Sequence, residues 1–382
     1  MRIAFYTIDL FYGREHLMPW RTVLEVAVRL LHAGHEVFVL NGRSGMSVSS
    51  GYDEYDWNGA SVLTIDSGCN ALVDIVNSLQ LDLLYMQITW RDGLKKMNSL
   101  KDVPIKKIVY FSGGIYDIDS AFKLAKRWGW NIAKPYILES LVPKRMLVRK
   151  LRKVGIINAI GFTPYTTKFC LKAGFAKSVC IQTGKDDFEN VVADECILEK
   201  YNLKGKKWML FSGAPAPTRG ACELLKAIDK TNEKDLRVVL LMRTDVNSDY
   251  RCFNEIYERM SQKEKVLIIR EKISRPQLRA FFGGAYYGLL PFIVIPSEIP
   301  VTYLELFSCG TPVITFNNGG TTSFLKDGLI ISEKDVKSLA ATLDEAWMAD
   351  TVRKIKSDNA LAFMKDYPNW DDVTKKWLLT AM

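Results

Sequence analysis

A chain of 382 residues with 48% hydrophobic and 25% charged residues has the composition of a folded, water-soluble protein rather than a disordered or fibrous one. Its length suggests two domains, each large enough to bury its own core. No apolar run reaches the ~18–20 residues that a membrane-spanning helix needs, and RIAFYTIDLF is too short and too polar at its end for a secretion signal, so a cytoplasmic protein is expected.

The seven cysteines are scattered and form no C-x-x-C pair, which fits reduced thiols. The three histidines, His16, His32 and His35, share no zinc-ligand spacing with them, so no metal site is expected. The formal charge of +9 suits a polyanion or an anionic membrane surface as well as plain solubility. The basic residues form no nucleic-acid-binding motif, and no nucleic acid partner is expected.

In chain order, RIAFYTI reads as a strand, followed by the loop DLFYGREHLMPW. TVLEVAVRLLHAG reads as a helix, with Val23, Val26, Ala27 and Leu30 on one face and Gly34 as its stop. EVFVLNG, SVLTI, LDLLYM, KKIVYFS and INAIGFT are further strands. A polar stretch opens at Gly184, where a domain boundary is placed. A second set of strands follows: KKWMLFSGAP, LRVVLLMR, EKVLIIRE, YYGLLPFIVI and TPVITFN, with helices between. Short apolar runs alternating with helical patterns predict an α/β protein with two Rossmann-like, parallel-sheet domains. Ligands of such sheets bind beyond the carboxyl ends of the strands, here in the cleft between the domains.

Two segments carry chemistry. In FSGAPAPTRG a strand ends in small residues and a helix begins at Ala221. This sets backbone N–H groups and Arg219 at a helix amino terminus, a fit for phosphate or diphosphate; from these residues alone, an ordinary strand–helix turn with an exposed arginine is the plainer alternative. In IPSEIPVTYLELFSCGTPVIT, Pro300 suits the first helical position and Gly310 the stop. Glu305 then lies on the second turn and Glu298 in the loop before it. A helix amino terminus around Val301 and Thr302 with a nearby carboxylate suits the phosphates and ribose of a nucleotide sugar. A solvated loop acid and a helix-face acid are the plain alternative.

These segments, in this order, resemble the two-domain GT-B glycosyltransferases, especially the large retaining group called family 4. AVRLLHAGHEVFVL looks like that family's first helix and second strand. GLLPFIVIPSEIPVTYLELFSCGTPVITFNNGG looks like its donor-site signature, and KDGLII is similar to its D-G-x-x-G segment. YPNWDDVTKKWLLTAM looks like its last helix, which crosses back to the first domain. The resemblance implies a cleft between an acceptor-side domain, residues 1–186, and a nucleotide-sugar-binding domain, residues 187–358, with residues 359–382 as the crossing helix. It implies sugar transfer with retention from a donor such as a UDP- or GDP-sugar, with no required metal. The acceptor it implies is a glycan or a lipid-linked molecule of envelope polysaccharide synthesis.

By the family's pattern Arg219 stands at the lysine of the G-R-x4-K-G loop, with Gly213 at its first glycine, and would face the donor diphosphate. Glu305 stands at the second acid of the E-x7-E pair, which holds the ribose. The first acid is replaced by Ser297, with Glu298 one residue late. Ala214 replaces the loop arginine, and Arg243, at the end of LRVVLLMR, is a candidate to restore that charge. The family's Gly-Gly after the first strand is reduced to Gly13. His16 and Asp117, each after a strand of the first domain, are the candidates for acceptor-side chemistry. These departures leave a catalytically inactive GT-B subunit that binds a glycan or a partner as the alternative.

Residues 123–155 contain ten Lys and Arg together with Trp128, Trp130 and Tyr136. Leu147, Leu151 and Val154 follow helical spacing within PKRMLVRKLRKVG. A basic amphipathic helix beside tryptophans reads as a peripheral membrane element or as a core-packed helix with a solvated basic face.

Overall fold

The computed structural model describes the chain apart from residues 11–14, 44–52, 67–68, 91–99, 102, 104, 114–117, 243–249 and 296. The first sheet has eight strands: β1 (Arg2–Ile8), β2 (Glu36–Arg43), β3 (Asp53–Trp57), β4 (Ala60–Asp66), β5 (Leu83–Gln87), β6 (Lys106–Phe111), β7 (Asn158–Gly161) and β8 (Lys177–Cys180), in the order β3-β4-β2-β1-β5-β6-β7-β8. All pairs are parallel except β3–β4. Central β1 pairs Arg2 with Glu36 on one side and Ile3 with Leu83 on the other. Ile3, Ala4 and Phe5 are fully buried, as a strand covered by helices on both faces requires.

The second sheet comprises β9 (Met209–Gly213), β10 (Val238–Met242), β11 (Val266–Ile269), β12 (Gly288–Leu290), β13 (Val313–Phe316) and β14 (Leu329–Ser332). It is all parallel, in the order β11-β10-β9-β12-β13-β14. The two-domain α/β architecture expected from the alternating pattern is therefore present. The apolar run YYGLLPFIVI stays a strand only to Leu290. Pro291 brings no N–H to a ladder, and the chain leaves as a buried loop through Phe292, Ile293 and Val294.

The chain crosses between the domains twice, and the crossings touch: Lys185 N donates to the Pro368 carbonyl at 2.9 Å. Asp186 ties them to the first domain. Its carboxylate accepts from Arg21 at 2.6 Å and from Trp370 Nε1 at 2.9 Å. The last helix, Trp370–Ala381, lies on the first sheet. There Trp377 is fully buried against Phe5, Tyr85 and Tyr110.

A helical hairpin between β6 and β7, Ile118–Trp128 and Trp130–Leu141, turns at Gly129, whose φ is 88°. By connectivity it belongs to the first domain. Its inward residues Ala121, Leu124, Ala133 and Ile137 nevertheless join the core around Phe211 and Leu225 of the second domain. At its rim Arg127 pairs with buried Glu223 at 3.3 Å, and Lys334 Nζ donates to Ser120 Oγ at 2.6 Å.

Candidate active site

The site is built by the loops that leave the carboxyl ends of β9 and β12. After β9, a single helical turn, Pro217–Arg219, ends at Gly220, which leads into the helix Ala221–Ile228. Gly220 has φ of 72°, and a Cβ there would stand 2.0 Å from the Pro291 carbonyl oxygen. Only glycine combines that backbone conformation with that close approach. The Thr218 carbonyl accepts from Ile293 N at 2.9 Å, so the two loops are zipped together. Arg219 is half-buried, and its guanidinium lies over the Phe292 ring, 5.7 Å from its centre. A side chain on Gly213 would press on it, with Arg219 Nη1 3.3 Å from the Cβ position. Strand end, loop glycine and aromatic floor thus hold one cation in place.

After β12 the chain reaches the helix Val301–Ser308. Pro300 is extended, with ψ of 133°, so the helix starts one residue later than the sequence suggests, and no side chain caps it. The first-turn N–H groups at Val301 and Thr302 have no partner within the helix, and both residues are half-buried. They form an anion-attracting end. Glu305 follows one turn later and is half-buried beside Cys309. Burial pushes the Cys309 thiol up to about 12, opposed by Arg279 and reinforced by the Glu305 charge.

Glu298 lies in the loop before this helix, as its sequence suggests, but it is not a solvated acid. Only 1% of it is exposed, and it faces the first domain. Its Oε1 accepts from Thr163 Oγ1 at 2.7 Å and from Thr166 Oγ1, both at the start of the helix Pro164–Ala173 that follows β7. Its backbone N donates to the Ser112 carbonyl beyond β6 at 3.1 Å. The other oxygen, Oε2, and the neighbouring Ser297 Oγ are buried without a hydrogen-bond partner among the described residues. Burial pushes the carboxyl up to about 7, against the two threonine hydroxyls, which lower it. Near neutral pH the group is therefore divided between its charged and neutral forms.

Of the other candidates, His16 is exposed in the loop before the first helix, edge-on to Trp57 with ring centres 6.3 Å apart. Gly13, Asp117 and Arg243 lie outside the described residues. Among the described residues no group of three His, Cys, Asp or Glu side chains is arranged to hold a metal ion. The residues that sequence reasoning missed are Thr163, Thr166, Gly320 and Thr321. Gly320 admits Glu298, since a Cβ there would meet Oε1 at 2.3 Å, and Thr321 Oγ1 donates to the Glu298 carbonyl. The Thr-Pro pair at 163–164 is a legible helix start, but nothing local connects it to residue 298.

Comparison with known proteins bears on the second domain and on the fold. Residues 194–360 match the family described as Glycosyl transferases group 1. A glycosyltransferase from Rickettsia africae is similar over 100% of this chain and 97% of its own, with a TM-score of 0.71 at 15% identity. A sucrose-phosphate synthase from Thermosynechococcus elongatus is similar over 99% and 98%, with a TM-score of 0.73 at 12% identity. The Anabaena protein HepE, solved in complex with UDP and glucose, is similar over 100% and 99%, with a TM-score of 0.69 at 12% identity. No curated protein matches at a significant level.

Proposed function

We propose, from the premise that this chain is a divergent glycosyltransferase of the GT-B fold carrying a group 1 domain, that it moves a sugar from a nucleotide-sugar donor onto a glycan or lipid-linked acceptor with retained configuration. The observation that carries this reading is the zipping of the loop that bears Arg219 to the loop after β12, which leads to the uncapped start of the helix Val301–Ser308 and, one turn on, to Glu305. The donor diphosphate would lie against the guanidinium and the first-turn amides, with the ribose hydroxyls donating to Glu305. Charge building on the leaving diphosphate would meet a fixed cation and fixed dipoles, so the reading calls for no metal. Positioning donor and acceptor in the cleft supplies the rest. The similar HepE structure holds UDP and glucose, which supports a UDP-sugar among the candidate donors. His16 and Asp117 are the proposed acceptor-side groups.

The test is nucleotide affinity. Glu305→Ala is expected to weaken binding of the cognate nucleoside diphosphate by roughly 10- to 100-fold, the loss of a charged hydrogen-bond partner. Isothermal titration giving equal affinities for wild type and variant would remove Glu305 from the site.

The acceptor side is proposed to meet an anionic membrane surface through residues 123–155, in keeping with envelope polysaccharide synthesis at the cytoplasmic face. No helix among the described residues is long and apolar enough to cross a membrane. In the basic helix Lys144–Lys153, Leu147, Val148 and Leu151 are buried, so its apolar stripe is core, and its cations face outward with Met146 among them. The apolar groups left for a bilayer are Trp130, Ile132, Leu138, Leu141 and Met146, all exposed. A groove of about 420 Å³ between Pro143, Phe169 and Ala173 is edged by Lys144, Arg145 and Lys172. Flotation with phosphatidylcholine vesicles, with and without phosphatidylglycerol, is expected to show binding only to the anionic ones at low salt, lost in the Arg145→Glu/Lys172→Glu double variant. Binding indifferent to lipid charge or to these substitutions would end the membrane reading.

A further inference from the structure

We propose that Glu298 is a positioning residue that clasps the two domains together and thereby sets the donor loop for catalysis. Four contacts converge on this one residue. Three come from the first domain: the Ser112 carbonyl on its backbone N, and the Thr163 and Thr166 hydroxyls on Oε1. The fourth comes from its own domain, where Thr321 holds its carbonyl. Thr163 serves two elements at once, since its Oγ1 also accepts from Thr166 N at 3.3 Å to cap the helix Pro164–Ala173. The clasp therefore joins the start of one helix in the first domain to a loop of the second. Gly320 gives the carboxyl its room in this position, since a Cβ there would stand 2.3 Å from Oε1.

That loop runs directly into the helix Val301–Ser308, whose first-turn amides lie three and four residues beyond Glu298. Pro300 stiffens the connection, because its ring fixes φ. A shift of one domain against the other is thus transmitted to the amides proposed to hold the diphosphate. The carboxyl's polar atoms are spent on the first domain, apart from Oε2, which has no protein partner among the described residues. A carboxyl buried in this way is held in one orientation, because leaving its threonine partners would strand polar groups away from water.

The experiment uses the full chain and two readouts. Small-angle scattering is expected to give a larger radius of gyration for Glu298→Ala and for the Thr163→Val/Thr166→Val double variant than for wild type. Glu298→Gln, whose amide oxygen can accept from the same two hydroxyls, should scatter as wild type. In sugar transfer, which rests on the function proposed above, Glu298→Ala should lower kcat by roughly 10- to 100-fold, with a smaller fall in nucleotide affinity from the displaced first-turn amides. The scattering arm stands whether or not a sugar substrate is found. Wild-type scattering from both Glu298→Ala and the threonine variant would overturn the clasp. So would a loss in Glu298→Ala confined to donor affinity, which would make Glu298 a donor ligand instead.

Discussion

Replacing Arg219 with alanine is expected to lower kcat for sugar transfer by roughly 100- to 1,000-fold, the effect of removing one fixed charge partner from a group that becomes more negative in the transition state. Arg219 is the cation held by the β9 loop, with Phe292 beneath it and Gly213 leaving it room. It is half-buried, so its loss should change Tm by no more than about 1 °C, as for sites outside the core generally. Arg219→Lys keeps the charge but not the planar fork. That variant should therefore fall between wild type and Arg219→Ala. Steady-state release of nucleoside diphosphate measures all three. Activity of Arg219→Ala within threefold of wild type would mean that the diphosphate charge is met elsewhere.

The second large effect concerns stability. Trp377→Ala is expected to destabilise the first domain by about 3–5 kcal/mol, the cost of deleting a fully buried large aromatic side chain. Trp377 comes from the last helix, yet its ring lies 4.9 Å from that of Tyr85, 5.3 Å from Tyr110 and 5.6 Å from Phe5, measured between centres. Its carbonyl also accepts from the Tyr85 hydroxyl at 2.6 Å. Truncation opens a cavity beneath three strands of the first sheet and loosens the helix that covers them. In a domain of this size the expected fall in Tm is on the order of 10 °C. Trp377→Phe should recover much of it. A fall below about 2 °C for Trp377→Ala, read by calorimetry, would show that the last helix contributes little to the first domain's core.

The parallel strands were legible because a strand buried on both faces has to be a short apolar run, as in RIAFYTI and LRVVLLMR. The strand DEYDW was not legible. It is a polar antiparallel edge strand, and all five of its residues carry a charge or an aromatic ring with a polar group. Its one clear signal is the Asn58-Gly59 turn, where both residues have positive φ, as a two-residue hairpin loop requires. Strand KSVC escaped notice for a different reason: at four residues it is too short for periodicity to register. Arg219 and Glu305 could be singled out because each belongs to a local strand–loop–helix pattern. Glu298 could be singled out too, but not its direction. Its partners Thr163 and Thr166 lie more than 130 residues away in sequence, and the carboxyl turns to them because the Ser112 carbonyl anchors its backbone N. The hairpin Ile118–Leu141 was illegible for a similar reason. Its apolar face shows that it packs, and only the tertiary fold shows that it packs on the other domain.

The proposed function requires that the cleft bind and turn over a nucleotide sugar. Incubating the full chain with a panel of UDP-, GDP- and ADP-sugars, and following release of the nucleoside diphosphate by chromatography, tests it most directly. Release from at least one donor is expected, slowed in Arg219→Ala. No release from any donor, together with no thermal stabilisation by UDP, GDP or ADP, would overturn this reading in favour of an inactive GT-B protein that binds a glycan or a partner.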